Sequence, residues 1–418
     1  MMKLKLKKQL NKGAKMKKFT QIIFLCLFGL VFIAATPSSS CMLNIGRYYC
    51  PDENSSRDNR EVKKEFEVKP GGKVTIDLKT GADIEIKGWE KNLLTANATI
   101  EDDKENPIEM EFNQSGNNVE ITSNYSHRNN HNSSSAKLVL QVPKKFNVEF
   151  NTMGGDVSII FVEGNIEGKT MGGELELLNL KGVLDVVTMG GEITLKDSEV
   201  DGKVKTMGGE ILVENVKGDV NASSMGGKVR QINVEGKGKS IGNEVNISTM
   251  GGEIEIDKAP NGAKLKTMGG DIKVNKAGKF LDAETMGGEI EAEVDGWIKA
   301  TTMGGDVDIK MVGDPNDGKR DVTVKSMGGD ITLVVPAGLS MDINIEVIYA
   351  KGRKVKSDDE FNKLKIVSDF PVTEERSKEW DTSKGSPRKT LLGTGSVNGG
   401  KNKVKITTYN GNVYLKKG

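Results

Sequence analysis

The sequence of 418 residues has few of the large side chains that build a conventional globular core, since Phe, Trp and Tyr make up only 5% of it. No segment of its middle region shows the apolar spacing of a long amphipathic helix. Glycine, in contrast, accounts for 50 residues, well above its usual share of roughly 7%. Short strands joined by tight corners are therefore expected.

Acidic residues are absent before Asp52, while eight lysines precede an apolar run from Ile22 to Ala35. This run of 14 residues is too short for a bilayer core of ~30 Å and fits the apolar core of a secretory signal peptide. We predict a signal peptide over residues 1–35 and a linker over residues 36–60. Because the basic segment after Met1 is unusually long, Met16 is an alternative start.

The exported part of the chain is mildly acidic. When the eight leader lysines are subtracted from 60 basic residues, 52 remain against 59 acidic ones, a net charge of −7. A chain with this balance is a poor candidate for binding nucleic acid, which requires clustered positive charge. Nucleic acid is therefore not an expected partner.

Cysteine is scarce, with three residues in all, and Cys26 leaves with the signal peptide. Cys41 and Cys50 remain in the linker, nine positions apart. In an oxidising compartment the two are expected to form a disulfide. The alternative is that Cys41 is the lipidated first residue of a lipoprotein, which would be the only link to a membrane.

Histidine is scarcer still. His127 and His131 have a metal-ligand spacing for a helix, but the surrounding "NYSHRNNHNSSS" has no helical pattern and is predicted to be a solvated loop. The sequence shows no nucleophile motif and no phosphate-binding loop. We therefore expect no catalytic residues, no cofactor and no metal site.

A Met-Gly-Gly triplet recurs ten times through the middle of the chain, mostly at steps of 18 residues. Longer steps of 25 and 24 residues keep the frame and add loops near 234–245 and 313–321. A fixed period of this length is typical of stacked repeats. The triplets begin at Met153, Met171, Met189, Met207, Met225, Met250, Met268, Met286, Met303 and Met327.

Each repeat, numbered from the Thr or Ser before its methionine, has the apolar period of a β-strand. Position 6 is aliphatic in all ten copies, and position 8 is apolar in all but one, where Gln231 stands. A period of two indicates strands, and one repeat cannot bury its aliphatic face unless its copies stack. We predict an all-β fold in which residues 151–345 form a parallel β-solenoid of about ten coils.

The apolar phase slips by one residue within each Met-Gly-Gly triplet. Such a slip is typical of a bulge or corner, where glycine allows positive φ or close backbone packing. We interpret the triplet as a stacked structural corner in which methionine fills space. The corner glycines are Gly154, Gly155, Gly172, Gly173, Gly190, Gly191, Gly208, Gly209, Gly226, Gly227, Gly251, Gly252, Gly269, Gly270, Gly287, Gly288, Gly304, Gly305, Gly328 and Gly329.

Position 5 carries an acidic residue in nine of ten copies, with Lys228 as the exception. In an in-register stack these side chains form a row that we expect to be solvated. Weak binding of divalent cations between coils is the alternative function, so the row is a candidate binding face. Its members are Asp156, Glu174, Glu192, Glu210, Glu253, Asp271, Glu289, Asp306 and Asp330.

The regions that flank the repeats are predicted to be β-rich caps. The N-terminal cap covers residues 61–150 and includes a polar loop at 123–135. The C-terminal cap covers residues 346–418, with a polar excursion at about 351–401 and a degenerate copy of the repeat, "TYNGNV", near its end. Such caps protect the open ends of a solenoid from edge-to-edge aggregation.

The "T-x-G-G-[DE]-[IV]" copies, the Val142-Pro143 and Val335-Pro336 turns and the closing "TYNGNVYL" resemble the bacterial putative-adhesin β-strand-repeat family of exported proteins. The resemblance covers roughly residues 62–418. It implies a β-solenoid at the cell envelope and no established catalytic residues.

Two functions fit these observations. The first is a non-enzymatic exported scaffold, an adhesin or binding protein of the periplasm, outer membrane or cell surface, whose partner is a glycan or protein of a cell surface or envelope. The alternative is a carbohydrate-active β-helix such as a polysaccharide lyase or hydrolase. Fold alone does not determine function. The two functions must therefore be distinguished by residues that depart from the repeat pattern.

Overall fold

The computed structural model describes residues 42–44, 47–49, 58–102, 106–127, 134–235, 244–350, 359–383 and 385–418. The signal peptide, Cys41 and Cys50 lie outside the described residues, as do His131 and most of the predicted loop near 234–245. The chain divides into two units, Met1–Ser55 and Ser56–Gly418. In the first unit, β1 (Met42–Asn44) and β2 (Arg47–Tyr49) form an antiparallel pair.

The second unit is built almost entirely of strands, and 31 of them belong to one sheet. The all-β class is therefore confirmed. The strands before the repeats are β3 (Asp58–Glu67), β4 (Lys73–Leu78), β5 (Asp83–Trp89), β6 (Leu93–Asp102), β7 (Ile108–Ser115), β8 (Asn118–Tyr125), β9 (Ser135–Pro143) and β10 (Asn147–Thr152).

Two short strands occur in most repeats, one before and one after the Met-Gly-Gly triplet. They are β11 (Val157–Ile160), β12 (Glu163–Thr170), β13 (Leu175–Leu178), β14 (Lys181–Thr188), β15 (Ile193–Lys196), β16 (Glu199–Thr206), β17 (Ile211–Lys217), β18 (Val220–Ser224), β19 (Val229–Glu235), β20 (Val245–Ser248), β21 (Ile254–Ala259), β22 (Ala263–Lys266), β23 (Ile272–Glu284), β24 (Ile290–Thr302), β25 (Val307–Met311), β26 (Val322–Ser326) and β27 (Ile331–Val335).

Strand pairing in the repeats connects each copy to the next in the same register. Val157 of β11 pairs with Leu175 of β13, and Thr170 of β12 pairs with Thr188 of β14, all in parallel. The partners lie 18 residues apart, so the sequence period is also the pairing period. Every pairing among β10 to β27 is parallel, and it aligns equivalent positions of successive repeats into rows.

The core lies between the two rows of strands. Within one repeat, Val204 of β16 and Ile211 and Val213 of β17 are at most 1% exposed. Each buried aliphatic side chain contributes roughly 1.5–3 kcal/mol relative to an exposed one. Because the aromatic content is low, stability depends on repeating these small contributions along the stack.

The sheet is mixed because its ends contain antiparallel strands. Near the N-terminus β3 and β9 both pair antiparallel with β6, and β7 with β8. At the other end β31 pairs antiparallel with β28 and β30. The remaining elements are β28 (Met341–Ala350), the helix α1 (Asp359–Lys363), β29 (Ile366–Ser368), β30 (Thr373–Arg376), β31 (Arg388–Val397), β32 (Asn402–Tyr409) and β33 (Val413–Lys417).

Parallel stacking extends past the ten triplets on both sides. Ile84 of β5 pairs with Val157 of β11, and Val413 of β33 pairs with Ile331 of β27. The degenerate "TYNGNV" copy thus stacks directly on the last full repeat, with Thr408 beside Ser326. The predicted excursion at 351–401 contains α1 and β29 to β31 as regular elements.

Candidate functional site

The corner of each repeat is built around a buried hydroxyl. Thr206 donates from Oγ1 to the carbonyl of Gly191, 2.9 Å away in the preceding repeat, and accepts the N–H of Gly209 at 3.2 Å. Thr188 makes the same two bonds one repeat earlier, to Gly173 and from Gly191. A hydroxyl both donates and accepts, so it satisfies two buried backbone groups where the strands end. The side chains at position 1 are all at most 3% exposed.

The two glycines of a triplet have different surroundings. A Cβ on the second glycine, such as Gly209, would overlap the carbonyl of Gly191 in the repeat before. A Cβ on the first glycine, such as Gly208, would meet its nearest atom at 3.4 Å, an ordinary contact. Of the 20 triplet glycines, positive φ occurs at Gly155 alone. Close packing of successive backbones, and not a left-handed conformation, therefore requires the second glycine.

The left-handed corner lies instead at position 10, which the sequence reasoning missed. Phe161, Asn179, Asp197, Asn215 and Asn233 stand there at 18-residue steps with φ between 51° and 61°. Asn and Asp tolerate this conformation better than other residues with a side chain. Their recurrence at a fixed position was the available signal.

The ten methionines of the triplets, called here the methionine row, lie on the outside of the corner. Their exposed fractions range from 41% to 56%. Parallel bonds hold successive members together: the N–H of Met268, for example, donates to the carbonyl of Met250 at 3.2 Å. Half of each side chain faces solvent, so methionine does not fill interior space.

The acidic residues of position 5 also form an outward row. Its aspartates accept a backbone N–H from the next repeat, as Asp271 does from Glu289 at 2.8 Å and Asp306 from Asp330 at 2.7 Å. At the exception, Lys228 pairs with Glu253 at 3.1 Å and with Glu255 at 2.9 Å. The row thus stabilises the stack. Among the described residues, no group of three or more His, Cys, Asp or Glu side chains could hold a metal ion.

A groove of about 510 Å³ interrupts the outer face of the strands that precede the triplets. Its floor consists of the short side chains Asn221 and Ser223 of β18 and Asn246 and Ser248 of β20. The strand register aligns these residues into two neighbouring rows, each with a lysine at both ends. The rows are Lys205–Ser223–Ser248–Lys266 and Lys203–Asn221–Asn246–Lys264. With strands about 4.8 Å apart, the two lysine walls stand about 14 Å from each other.

The groove carries excess positive charge. Five lysines and two carboxylates, Asp282 and Glu284, line it. Lys266 pairs with Glu284 at 3.3 Å and Lys299 with Asp282 at 3.0 Å. Within the part of the chain that the structure describes, Lys205 forms no ion pair. Lys203 pairs with Asp185 at 2.8 Å and Lys264 pairs with Glu244, and the hydrogen bond to Asp185 raises the pKa of Lys203 above its usual value.

A stacked aromatic pair lies on the same face as the groove. The rings of Phe280 and Trp297 are 4.8 Å apart and nearly parallel, at 8°. Phe280 precedes Asp282 by two residues on β23, and Trp297 precedes Lys299 by two on β24. Side chains two apart on a strand point to the same side, so the pair lies next to two residues that line the groove but does not itself line it.

A family model, Toastrack DUF4097, matches residues 72–361, more than two thirds of the chain. The chain belongs to the Toastrack DUF4097 family. The match spans the parallel-paired repeats, the groove and the methionine row. Among curated proteins, none matches the chain. Within the described residues of this Toastrack protein, no helix is long and apolar enough to cross a membrane.

Solved structures similar to this Toastrack chain include several described as putative adhesins. One from Bacteroides fragilis has 16% identity and a TM-score of 0.32, covering 60% of this chain and 97% of its own. One from Parabacteroides merdae has 12% identity and a TM-score of 0.29, covering 64% and 96%. A putative lipid binding protein from Parabacteroides distasonis has 16% identity and a TM-score of 0.26, covering 65% and 96%. The family match agrees with the resemblance drawn from the sequence.

Proposed function

We propose that this protein is an exported binding scaffold of the cell envelope, a β-solenoid of about ten coils whose groove binds an acidic polysaccharide. The observation that carries the proposal is the groove between β16 and β22, where two neighbouring strands have only short polar side chains. In several other repeats longer side chains stand at the equivalent position, such as Lys169 and Lys325.

The chemistry of the groove favours a sugar polymer with carboxylate or sulfate groups. Asn221 and Asn246 offer amide donors and acceptors, and Ser223 and Ser248 offer hydroxyls. Lys205 supplies positive charge for an acidic group without first breaking an ion pair, and the paired lysines Lys264 and Lys266 of the opposite wall add N–H donors. The Phe280–Trp297 pair adds an apolar surface beside the groove.

Polysaccharide cleavage is the second candidate function, because Asp282 and Glu284 bring two carboxylates to the groove. Cleavage by a carboxylate pair requires one member to be protonated as the general acid while the other is ionised. Both carboxylates here form an ion pair with a lysine, so cleavage would require at least one of these pairs to open. This arrangement supports binding better than cleavage.

Location is also part of the proposal. The predicted signal peptide at 1–35 supports export to the periplasm, outer membrane or cell surface. Cys41 and Cys50 would form a disulfide in that compartment, or Cys41 would carry a lipid anchor. Intact-mass spectrometry of the exported protein distinguishes a loss of two protons from a diacylglycerol adduct.

A glycan array with the exported protein tests the function. We expect retention of uronate-containing or sulfated polysaccharides and little retention of neutral ones, with binding that weakens as salt is added. Replacement of Lys205 and Lys266 by Gln should reduce retention at least tenfold. Retention of no glycan, or equal retention by this variant, would rule out the groove as the site. Shortening of the retained polymers during incubation would favour cleavage instead.

A further inference from the structure

The same residue type occurs at every position of the methionine row, although an exposed position does not require one particular apolar residue. Methionine stands at position 2 in all ten repeats, whereas position 1 is Thr in eight and Ser in two, and position 5 includes Asp, Glu and Lys228. Leucine would give an exposed corner the same apolar contact, since exchange of Leu and Met is well tolerated in proteins. The property that leucine lacks is the thioether sulfur, so the chemistry of sulfur distinguishes this position.

The first glycine of each triplet is a second, independent feature of the row. It is glycine in all ten copies, although a Cβ there would lie at least 3.3 Å from its nearest neighbour. Because contacts at that distance are ordinary or only slightly tight, close backbone packing does not explain ten such glycines. Their effect is to leave bare backbone beside every exposed methionine, so that the sulfur atoms can be approached from the side.

We propose that the methionine row binds soft monovalent metal ions, Cu(I) above all, between the thioether sulfurs of adjacent repeats. Thioethers are among the ligands that select Cu(I) over hard cations. Stacked repeats separate equivalent residues by about 4.8 Å, and two metal–sulfur bonds of roughly 2.3 Å each span that distance. The row therefore offers a series of equivalent two-sulfur sites.

The rest of the repeat favours a cation at this corner. An acidic residue follows the methionine by three positions in nine of ten copies, such as Glu192 after Met189. A line of carboxylates raises the local concentration of cations, while the neutral thioethers provide the selectivity. The proposal does not depend on the groove, because the row lies at the triplets and the groove on the strands before them.

Silver titration tests the proposal, with Ag(I) as a redox-stable probe of the same class. The full chain is used with Cys26, Cys41 and Cys50 replaced by Ser, because thiols would bind silver more tightly. A row variant replaces the ten triplet methionines by Leu. The matched control replaces the buried Met311 and Met341, which are at most 2% exposed, by Leu. Bound silver is counted after equilibration with a competing ligand.

We expect the chain to bind several Ag(I) ions, the control to bind the same number and the row variant to lose at least four fifths of them. X-ray absorption should show sulfur ligands, and Cu(I) supplied without oxygen should compete with silver. A smaller variant, with only Met189, Met207 and Met225 replaced, keeps the test valid if the row variant does not fold. It removes four of the nine pairs of adjacent methionines and should lose about two fifths of the bound ions. Absence of silver binding, or equal binding by the row variants and the control, would overturn the proposal.

Discussion

The hydroxyl of Thr206 donates to the carbonyl of Gly191 in the preceding repeat at 2.9 Å. Equivalent bonds recur from Thr188 to Gly173 and from Thr267 to Gly252. This side chain, and not the methionine beside it, joins successive corners inside the stack. The recurrence of Thr or Ser at position 1 follows from that role.

Loss of one such hydroxyl should be costly. Thr206→Val keeps the shape of the side chain but leaves the Gly191 carbonyl and the Gly209 N–H without the bonds that Thr206 makes. We expect a loss of about 1–3 kcal/mol in the free energy of unfolding, measured by urea denaturation. Thr206→Ser is the control and should lose less than half as much, because Ser224 makes the same bonds one repeat later. Equal losses would show that the hydroxyl is not responsible.

The two glycines of one triplet should respond in opposite ways. Gly209→Ala places a methyl group against the Gly191 carbonyl and should destabilise by about 3 kcal/mol, since packed backbones cannot separate without shifting the strands. Gly208→Ala has room for its methyl group and should be neutral or stabilise by up to about 1 kcal/mol. Thermal melts of both variants provide the comparison. A reversed order would contradict the described packing.

Phe161 is an unfavourable residue at the left-handed corner. Its φ is 61° and its side chain is 44% exposed, so it has little packing to offset the strain. Phe161→Asn should stabilise by about 1 kcal/mol, because Asn adopts this conformation more easily. Phe161→Val should destabilise, because a β-branched residue resists positive φ. Chemical denaturation of the two variants against the parent checks both signs.

The ion pairs at the interruption of the acidic row should make stability sensitive to acid. The pKa of Glu255 lies below its ordinary value of 4.5, mainly because Lys228 donates a hydrogen bond to it. A carboxylate with a lowered pKa stabilises the folded state above its unfolded pKa, and the contribution disappears as pH falls through the folded value. Glu255→Gln should therefore lower the urea midpoint at pH 7 and lower it less at pH 3. A difference of equal size at both pH values would contradict this assignment.

The strand architecture could be predicted from the sequence because one period controls both burial and pairing. The aliphatic residues at position 6, such as Ile193 and Ile211, fixed the inward face, and the 18-residue step fixed the register. The phase slip placed Thr inward, and the structure buries it. The domain boundaries and the cysteine chemistry remain predictions.

Other features could not be read from the repeat because they depend on contacts between copies. The exposure of the methionine row follows from how strands turn at the corner, and the period alone does not determine it. The groove arises from four short side chains on β18 and β20, which a search for conspicuous motifs passes over. The left-handed corner was concealed because Phe161 breaks the Asn and Asp pattern in its first copy.

The central functional claim, that the groove holds a polysaccharide, is tested most directly by filling it. Ser248→Trp places a large side chain on the groove floor, while Val187→Trp changes the equivalent position of another repeat and is the matched control. Isothermal titration should use the best acidic polysaccharide from the array. We expect Ser248→Trp to weaken binding at least tenfold and Val187→Trp to bind like the parent. Unchanged affinity in a folded Ser248→Trp variant, or equal losses in both variants, would contradict the account.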